Sequence, residues 1–241
     1  MLQRCYLRRV PTRRMNFSSK ESRLGRDGHE TVGWHQNYGD AAAVARRRRD
    51  MGTKLDRLGL CMTAPVAVLD VCCGHGETLD CLYSLGFRDL HGVDLTVPRS
   101  LANDGRFDVR QASATKLPYD SGSFDWVLCI HSLHHLGSAA EVEYFLYEVS
   151  RVLKPGGRLG IVDFPASLQI RLAFWLFRHG FLNFTPYLKW FTRVIREEWW
   201  FLREYLPQWT IVRRHLMEGP FAVEVYRDGF FYFHLTLRKA S

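Results

Sequence analysis

Apolar and polar positions alternate with two different periods along this chain. From residue 66 the run Val66-Ala67-Val68-Leu69-Asp70-Val71 is almost wholly apolar, as a central parallel strand buried on both faces requires. Cys72-Cys73-Gly74-His75-Gly76 then breaks the run, and Leu79 and Leu82 resume at a helical interval. The pattern predicts strand, turn, helix. Further apolar stretches predict strands at Leu90–Asp94, Asp108–Gln111, Phe124–Ile130 and Arg158–Phe164. Helices are predicted over Ala41–Leu60, capped by Asp40, and over the amphipathic Glu141–Leu153, stopped by Lys154-Pro155-Gly156-Gly157. Phe221–Tyr226 and Phe231–Leu237 alternate as strands around the turn signal Asp228-Gly229. This succession implies a doubly wound α/β sheet with its ligand beyond the carboxyl ends of the strands.

Residues 166–209 depart from that alternation. They hold 13 of the 33 aromatic residues, among them Phe174, Trp175, Phe177, Phe181, Trp190, Phe191, Trp199, Trp200 and Trp209, interleaved with Arg171, Arg178, Lys189, Arg193 and Arg196. No run in the segment approaches the ~20 apolar residues of a membrane span. It predicts a packed lid, the wall of an apolar acceptor site, or a helix lying peripherally on a membrane.

Length and charge narrow the picture. With 241 residues and no internal repeat, one catalytic domain over 34–241 is expected, preceded by a basic, disordered leader over 1–33. Of the net charge of +8, all lies in residues 1–60, with 14 Lys/Arg against 6 Asp/Glu, whereas residues 61–241 carry 19 of each. A neutral catalytic portion argues against nucleic acid as partner. The first 20 residues contain Arg4, Arg8, Arg9, Arg13, Arg14 and Lys20 and no acid, which suits a mitochondrial matrix address. Pro11 and the low serine content favour instead an extension on a cytoplasmic protein, with Met15 as a second start. The run Arg46–Arg49 reads as a solvated helix face. Cys61, Cys72, Cys73, Cys81 and Cys129 fall in or beside core elements and are expected to be reduced, and no C-x-x-C spacing supports a metal.

The chemistry gathers at the first turn. Gly74 and Gly76 let the backbone approach a ligand, and the following helix N-terminus favours an anionic group. A dinucleotide fingerprint needs a third glycine at position 79, where Leu79 stands. The acids Asp70 and Asp94, at the ends of two strands, suit a ligand carrying an amine and a ribose. S-adenosylmethionine carries both.

Four stretches in order resemble the class I S-adenosylmethionine-dependent methyltransferases of the type 11 kind: Val68–Gly76, Gly92–Leu95, Ala114–Tyr119 with Ser123-Phe124-Asp125, and Arg151–Gly157. Leu69–Gly74 and Asp163-Phe164-Pro165 are most similar to the quinone C-methyltransferases of menaquinone and ubiquinone biosynthesis. The resemblance implies a Rossmann-like, seven-stranded, mostly parallel sheet with a C-terminal antiparallel hairpin and an aromatic helical insertion before it. It implies a small apolar or aromatic acceptor such as a quinol or a lipid precursor. By the same resemblance Asp70, Gly74 and Gly76 face the methionine end of the cofactor, Asp94 the ribose, and Leu95 one face of the adenine with Ile130 and His131 along its other side, while Cys72, Ser113 and Ala114 also belong to the cofactor site. Cys72 replaces the usual glycine, His75 the usual threonine, and Ser113 the usual acid. His131 and His134, at the rim beyond the fourth strand, and Asp163 are the candidate bases for an acceptor hydroxyl. A nicotinamide-dependent oxidoreductase and a non-catalytic cofactor-binding protein of the same fold are the rival readings.

Overall fold

The computed structural model describes residues 23–24, 30–31, 41–60, 65–229 and 231–240. Asp40, Cys61 and nearly all of the leader lie outside the described residues, apart from a two-residue ladder pairing Arg23–Leu24 with Glu30–Thr31. The main sheet has seven strands: β1 (Ala67–Val71), β2 (Asp89–Asp94), β3 (Asp108–Gln111), β4 (Phe124–Ile130), β5 (Leu153–Asp163), β6 (Phe221–Asp228) and β7 (Phe233–Lys239). Their spatial order is β3-β2-β1-β4-β5-β7-β6, with β1 to β5 mutually parallel and the last two antiparallel.

Each central strand alternates between two hydrophobic layers, which is why its sequence reads as one apolar run. Leu69, Val71, Val127 and Cys129 point into the layer covered by α4 (Ala139–Val152), α5 (Leu168–Arg178) and α6 (Pro186–Glu218). Val68, Trp126, Leu128 and Ile130 point into the other, under α1 (Ala41–Arg57) and α2 (Glu77–Ser84), with Leu101 of the single-turn α3 (Arg99–Ala102) at its edge. Such burial on both faces fixes register, because a slip of one residue would exchange the two layers.

Side chains fix the helix starts. Ser138 Oγ accepts the Glu141 N–H at 3.1 Å, Ser167 Oγ that of Ile170 at 3.3 Å, and Thr185 Oγ1 that of Leu188 at 3.2 Å, with Pro186 opening α6. Pro207 interrupts the α6 ladder, and the next side chain, Gln208, accepts the Ala139 N–H of α4 at 2.8 Å and donates to Glu204 O at 2.9 Å. The inner faces of α5 and α6, including Phe174, Phe177, Leu202 and Tyr205, join the main core. No helix among the described residues is long and apolar enough to cross a membrane.

Three local expectations change. The stretch Lys154-Pro155-Gly156-Gly157 belongs to β5, which starts at Leu153 opposite Phe124 and takes up the irregularity with Gly156 at φ 73°. In the C-terminal hairpin the Gly229 N–H donates to Tyr232 O at 2.9 Å, and Asp228 still belongs to the strand. Arg48 is not merely a solvated face. Its guanidinium Nε donates to Asp80 at 3.1 Å, and Arg106 reaches the same carboxylate at 2.9 Å, clamping α1 to α2.

Phe145, wholly buried between α4 and the sheet, tests the layer. Phe145→Ala is expected to cost about 3–5 kcal/mol, read as a lower urea midpoint at unchanged slope. The neighbouring exposed Tyr144, changed to Ala, should shift stability by no more than about 0.5 kcal/mol.

Candidate functional site

Parallel strands on either side of β1 leave in opposite directions, β2 to one flank and β4 to the other, so a crevice opens above their carboxyl ends. The backbone that follows β1 there is left-handed at Cys72 (φ 60°), Gly74 (φ 56°) and Gly76 (φ 79°). At Gly76 a side chain would be strained by the positive φ, and its Cβ, 2.7 Å from Leu101 Cδ1, would push the end of Leu101 aside. Cys72 adopts a conformation that costs an L-residue about 1 kcal/mol or more, which explains glycine as the usual occupant.

Asp94 ties this turn to β2. One carboxylate oxygen accepts the Gly74 N–H at 2.8 Å and the other the Thr96 N–H at 3.0 Å. Next to it, Leu95 stands 62% exposed, an apolar face turned outward from the strand end. Asp70 lies deeper and is buried, with its Oδ2 lacking any hydrogen-bond partner. Burial raises its pKa well above the ordinary carboxylate value, the Asp94 charge adds to the rise, and the Thr78 hydroxyl offsets part of it.

The loop after β3 forms the far wall. Ser113 Oγ is 2.8 Å from Thr115 Oγ1 and accepts the Thr115 N–H at 3.2 Å, so the hydroxyl expected to face an adenine is folded onto its own turn. Ala114 is buried behind it. Glu148 accepts the Leu117 N–H at 2.8 Å, and Arg151 donates to the carbonyls of Tyr119 and Leu117, fastening this loop to α4. Asp125 serves the opposite end of the sheet: it accepts the Ala67 N–H and the Lys154 ammonium, each at 2.8 Å. Two open clefts of about 760 and 680 Å³ also lie away from the crevice, one along α4 and α6 with Lys239 and one beside Asp125 and Lys154.

The three histidines beyond β4 separate sharply. His134, on the 3-10 turn Leu133–Leu136, is buried rather than at a rim. Its Nδ1 lies 2.8 Å from Asp163 Oδ1, and its backbone N–H donates to Oδ2 at 3.1 Å. Asp163 also accepts the Phe164 N–H at 2.7 Å. Burial opposes ionisation of Asp163, but the His134 charge and hydrogen bond, aided by His131 and by Phe164 N–H, hold its pKa below the usual value. The two side chains are hydrogen-bonded to each other in the core rather than standing at a rim. His131 differs. Its backbone is left-handed (φ 55°), and both ring nitrogens are buried without a hydrogen-bond partner. Its ring stands edge-on to Tyr232 at 4.3 Å and tilts toward Phe164 at 6.2 Å between centroids. Burial first, then the charge of Lys54, lowers its pKa well below the ordinary value, against the pull of Asp163. Sequence inspection passed over Lys54, Tyr232 and the buried His234, because they come together only when α1 and β7 meet.

Residues 69–161 match the family described as Methyltransferase domain. This stretch, from within β1 into β5, is thus similar to the methyltransferase domain. It is 34% identical over 152 residues to the 27-O-demethylrifamycin SV methyltransferase of Amycolatopsis mediterranei, covering 56% of this chain and 54% of that protein. It is 31% identical over 148 residues to the demethylmenaquinone methyltransferase of Lactococcus lactis, covering 56% of each. The chain thus spans about half the length of these curated relatives. A SAM-dependent methyltransferase of Methanosarcina mazei shares the fold, with a TM-score of 0.51 at 18% identity over 74% of this chain and 94% of that one. The crevice has features that fit S-adenosylmethionine: Asp70 offers an unmet carboxylate oxygen to an ammonium group, the left-handed turn keeps side chains away, and Leu95 offers an apolar face.

Asp70 carries a measurable strain. A carboxyl whose folded pKa exceeds its unfolded value contributes stability below about pH 4 that is lost as pH rises through the folded value. Asp70→Asn should therefore melt higher than wild type at neutral pH without ligand, the difference closing below about pH 4, while binding of S-adenosylhomocysteine weakens. A wild type that melts higher than the mutant at neutral pH would contradict the strain.

Proposed function

We propose that the protein transfers the methyl group of S-adenosylmethionine to a small apolar or aromatic acceptor bearing an acidic hydroxyl, such as a quinol. The observation that carries this reading is the His131 imidazole, which follows β4 at the carboxyl ends of the strands and is buried with both nitrogens unmet. An unsatisfied buried polar group costs roughly 1–3 kcal/mol, a cost that a bound hydroxyl would remove. The low basicity of His131 keeps the ring neutral, so that one nitrogen can accept a hydrogen bond from the acceptor. The rings of Phe164, Tyr205 and Tyr232 around the two histidines suit an apolar or aromatic body. The similarity to proteins named for demethylmenaquinone and for 27-O-demethylrifamycin SV supports a small organic acceptor.

In this reading Asp70 holds the ammonium of the cofactor, Asp94 its ribose hydroxyls, and Leu95 and Ile130 its apolar ring surface. Once bound, S-adenosylmethionine supplies an electrophilic methyl on a sulfonium sulfur. The protein contributes orientation and a dry site. His131 accepts the hydroxyl hydrogen bond and takes the proton as the oxygen or the ring carbon gains the methyl, and the ionised Asp163 offsets the charge that His131 acquires. His134 is a positioning residue, holding Asp163 ionised in a place where water does not reach.

Two measurements test the reading. Asp94→Ala should weaken calorimetric binding of S-adenosylhomocysteine by about 1.5–3 kcal/mol, roughly ten- to a hundredfold. Unchanged affinity in the folded mutant would remove Asp94 from the site. His131→Gln should lower turnover of a labelled methyl donor with a quinol by roughly 10²–10⁴-fold while leaving S-adenosylhomocysteine affinity nearly unchanged. Equal loss of both would make His131 a structural residue of the cofactor crevice.

A further inference from the structure

Helix α5 is apolar on two opposite sides. At about 100° per residue, Ile170, Phe174 and Phe177 form one stripe, and all three are buried in the core. Leu168, Leu172 and Trp175 form the opposite stripe and face solvent, Leu168 at 79% exposure. The chain leaving the helix continues this second stripe. Phe181 stacks on Trp175 with ring centroids 5.5 Å apart and planes 22° apart, and Phe184 stands 77% exposed. Five large apolar side chains along one helix and its exit make a patch of the kind that marks an interaction surface.

Charge selects the occupant. From Leu168 to Arg196 the chain holds Arg171, Arg178, Lys189, Arg193 and Arg196 and not one Asp or Glu. Arg171 and Arg178 are exposed on α5 beside the apolar stripe, and Lys189 is exposed in the first turn of α6. A second copy of the chain docking through the same patch would set like charges against one another. An anionic bilayer satisfies both features at once, taking the apolar side chains at the acyl boundary and the cations at its phosphates. Since no described helix can span a membrane, attachment would be peripheral. We propose that the outer stripe of α5, with Phe181 and Phe184, is a docking surface for anionic lipid bilayers. The surface stands independently of the acceptor assigned above. It also has a direct route to the crevice, because Phe174 on the inner stripe packs on Phe164 at 5.0 Å, and Phe164 in turn packs against His131.

The test is flotation of the full chain with vesicles of phosphatidylcholine alone and with vesicles in which part of it is replaced by phosphatidylglycerol. The protein should float with the anionic vesicles, and less so as salt rises. Leu172→Glu and Trp175→Glu alter only exposed positions, so both should keep wild-type melting and S-adenosylhomocysteine affinity while the vesicle partition coefficient falls roughly tenfold or more. Absence of flotation with either composition overturns the proposal, and equal flotation with neutral vesicles overturns its assignment to anionic lipid. Sedimentation velocity supplies the remaining arm: a dimer that Trp175→Glu converts to a monomer would make the patch a protein interface instead.

Discussion

The hydrogen bond from Gly74 N–H to Asp94 joins the turn after β1 to the end of its neighbour β2, beside the point where the strand order reverses. It constrains everything above the sheet. A left-handed turn can come this close to β2 because Gly92 leaves room: a Cβ there would lie 2.9 Å from Cys73 Sγ and 3.0 Å from Leu79 Cδ1. Cys73 N–H in turn donates to Val93 O at 3.0 Å, so turn and strand are stitched on both sides of the carboxylate. The crevice is therefore preorganised by backbone, and its few side chains need only supply charge and apolar surface.

Beyond β4 the molecule separates two tasks among residues of one type. His134 and Asp163 satisfy each other inside the core, where the buried carboxylate is tolerated because backbone N–H groups also meet it. His131, one turn earlier, has no such partner and is held in a strained backbone. Strain and unmet polarity in the same residue are what a binding site needs and what a core avoids.

Much of the sheet was legible in the sequence, since burial on both faces writes itself as uninterrupted apolar runs. Phe124–Ile130 and Asp108–Gln111 have the boundaries that pattern predicts. Local signals misled where a distant partner decides the outcome. Lys154-Pro155-Gly156-Gly157 has the chemistry of a helix stop, yet pairing with Phe124 draws the preceding Leu153 into a strand. Arg48 looks like any solvated cation until Asp80, 32 residues away, is brought beneath it. At the site, the turn residues and the two acids were visible because their spacing is local. His131 and His134 could not be told apart, because the difference between them is burial and Asp163, which lies 29 residues on from His134. Ser113 is expected by resemblance to face the adenine, and its capture by Thr115 two residues later is a turn habit that the position alone does not reveal.

The buried carboxyl of Asp70 has a consequence for how the crevice exchanges ions with water. Where the surrounding pH lies below its raised pKa, part of the ligand-free protein carries a proton on Asp70. A ligand that brings an ammonium group to that carboxyl favours the ionised form and expels the proton. Loading the crevice is then an exchange of one cation for another, so its affinity falls with acidity and its heat depends on the buffer that receives the proton.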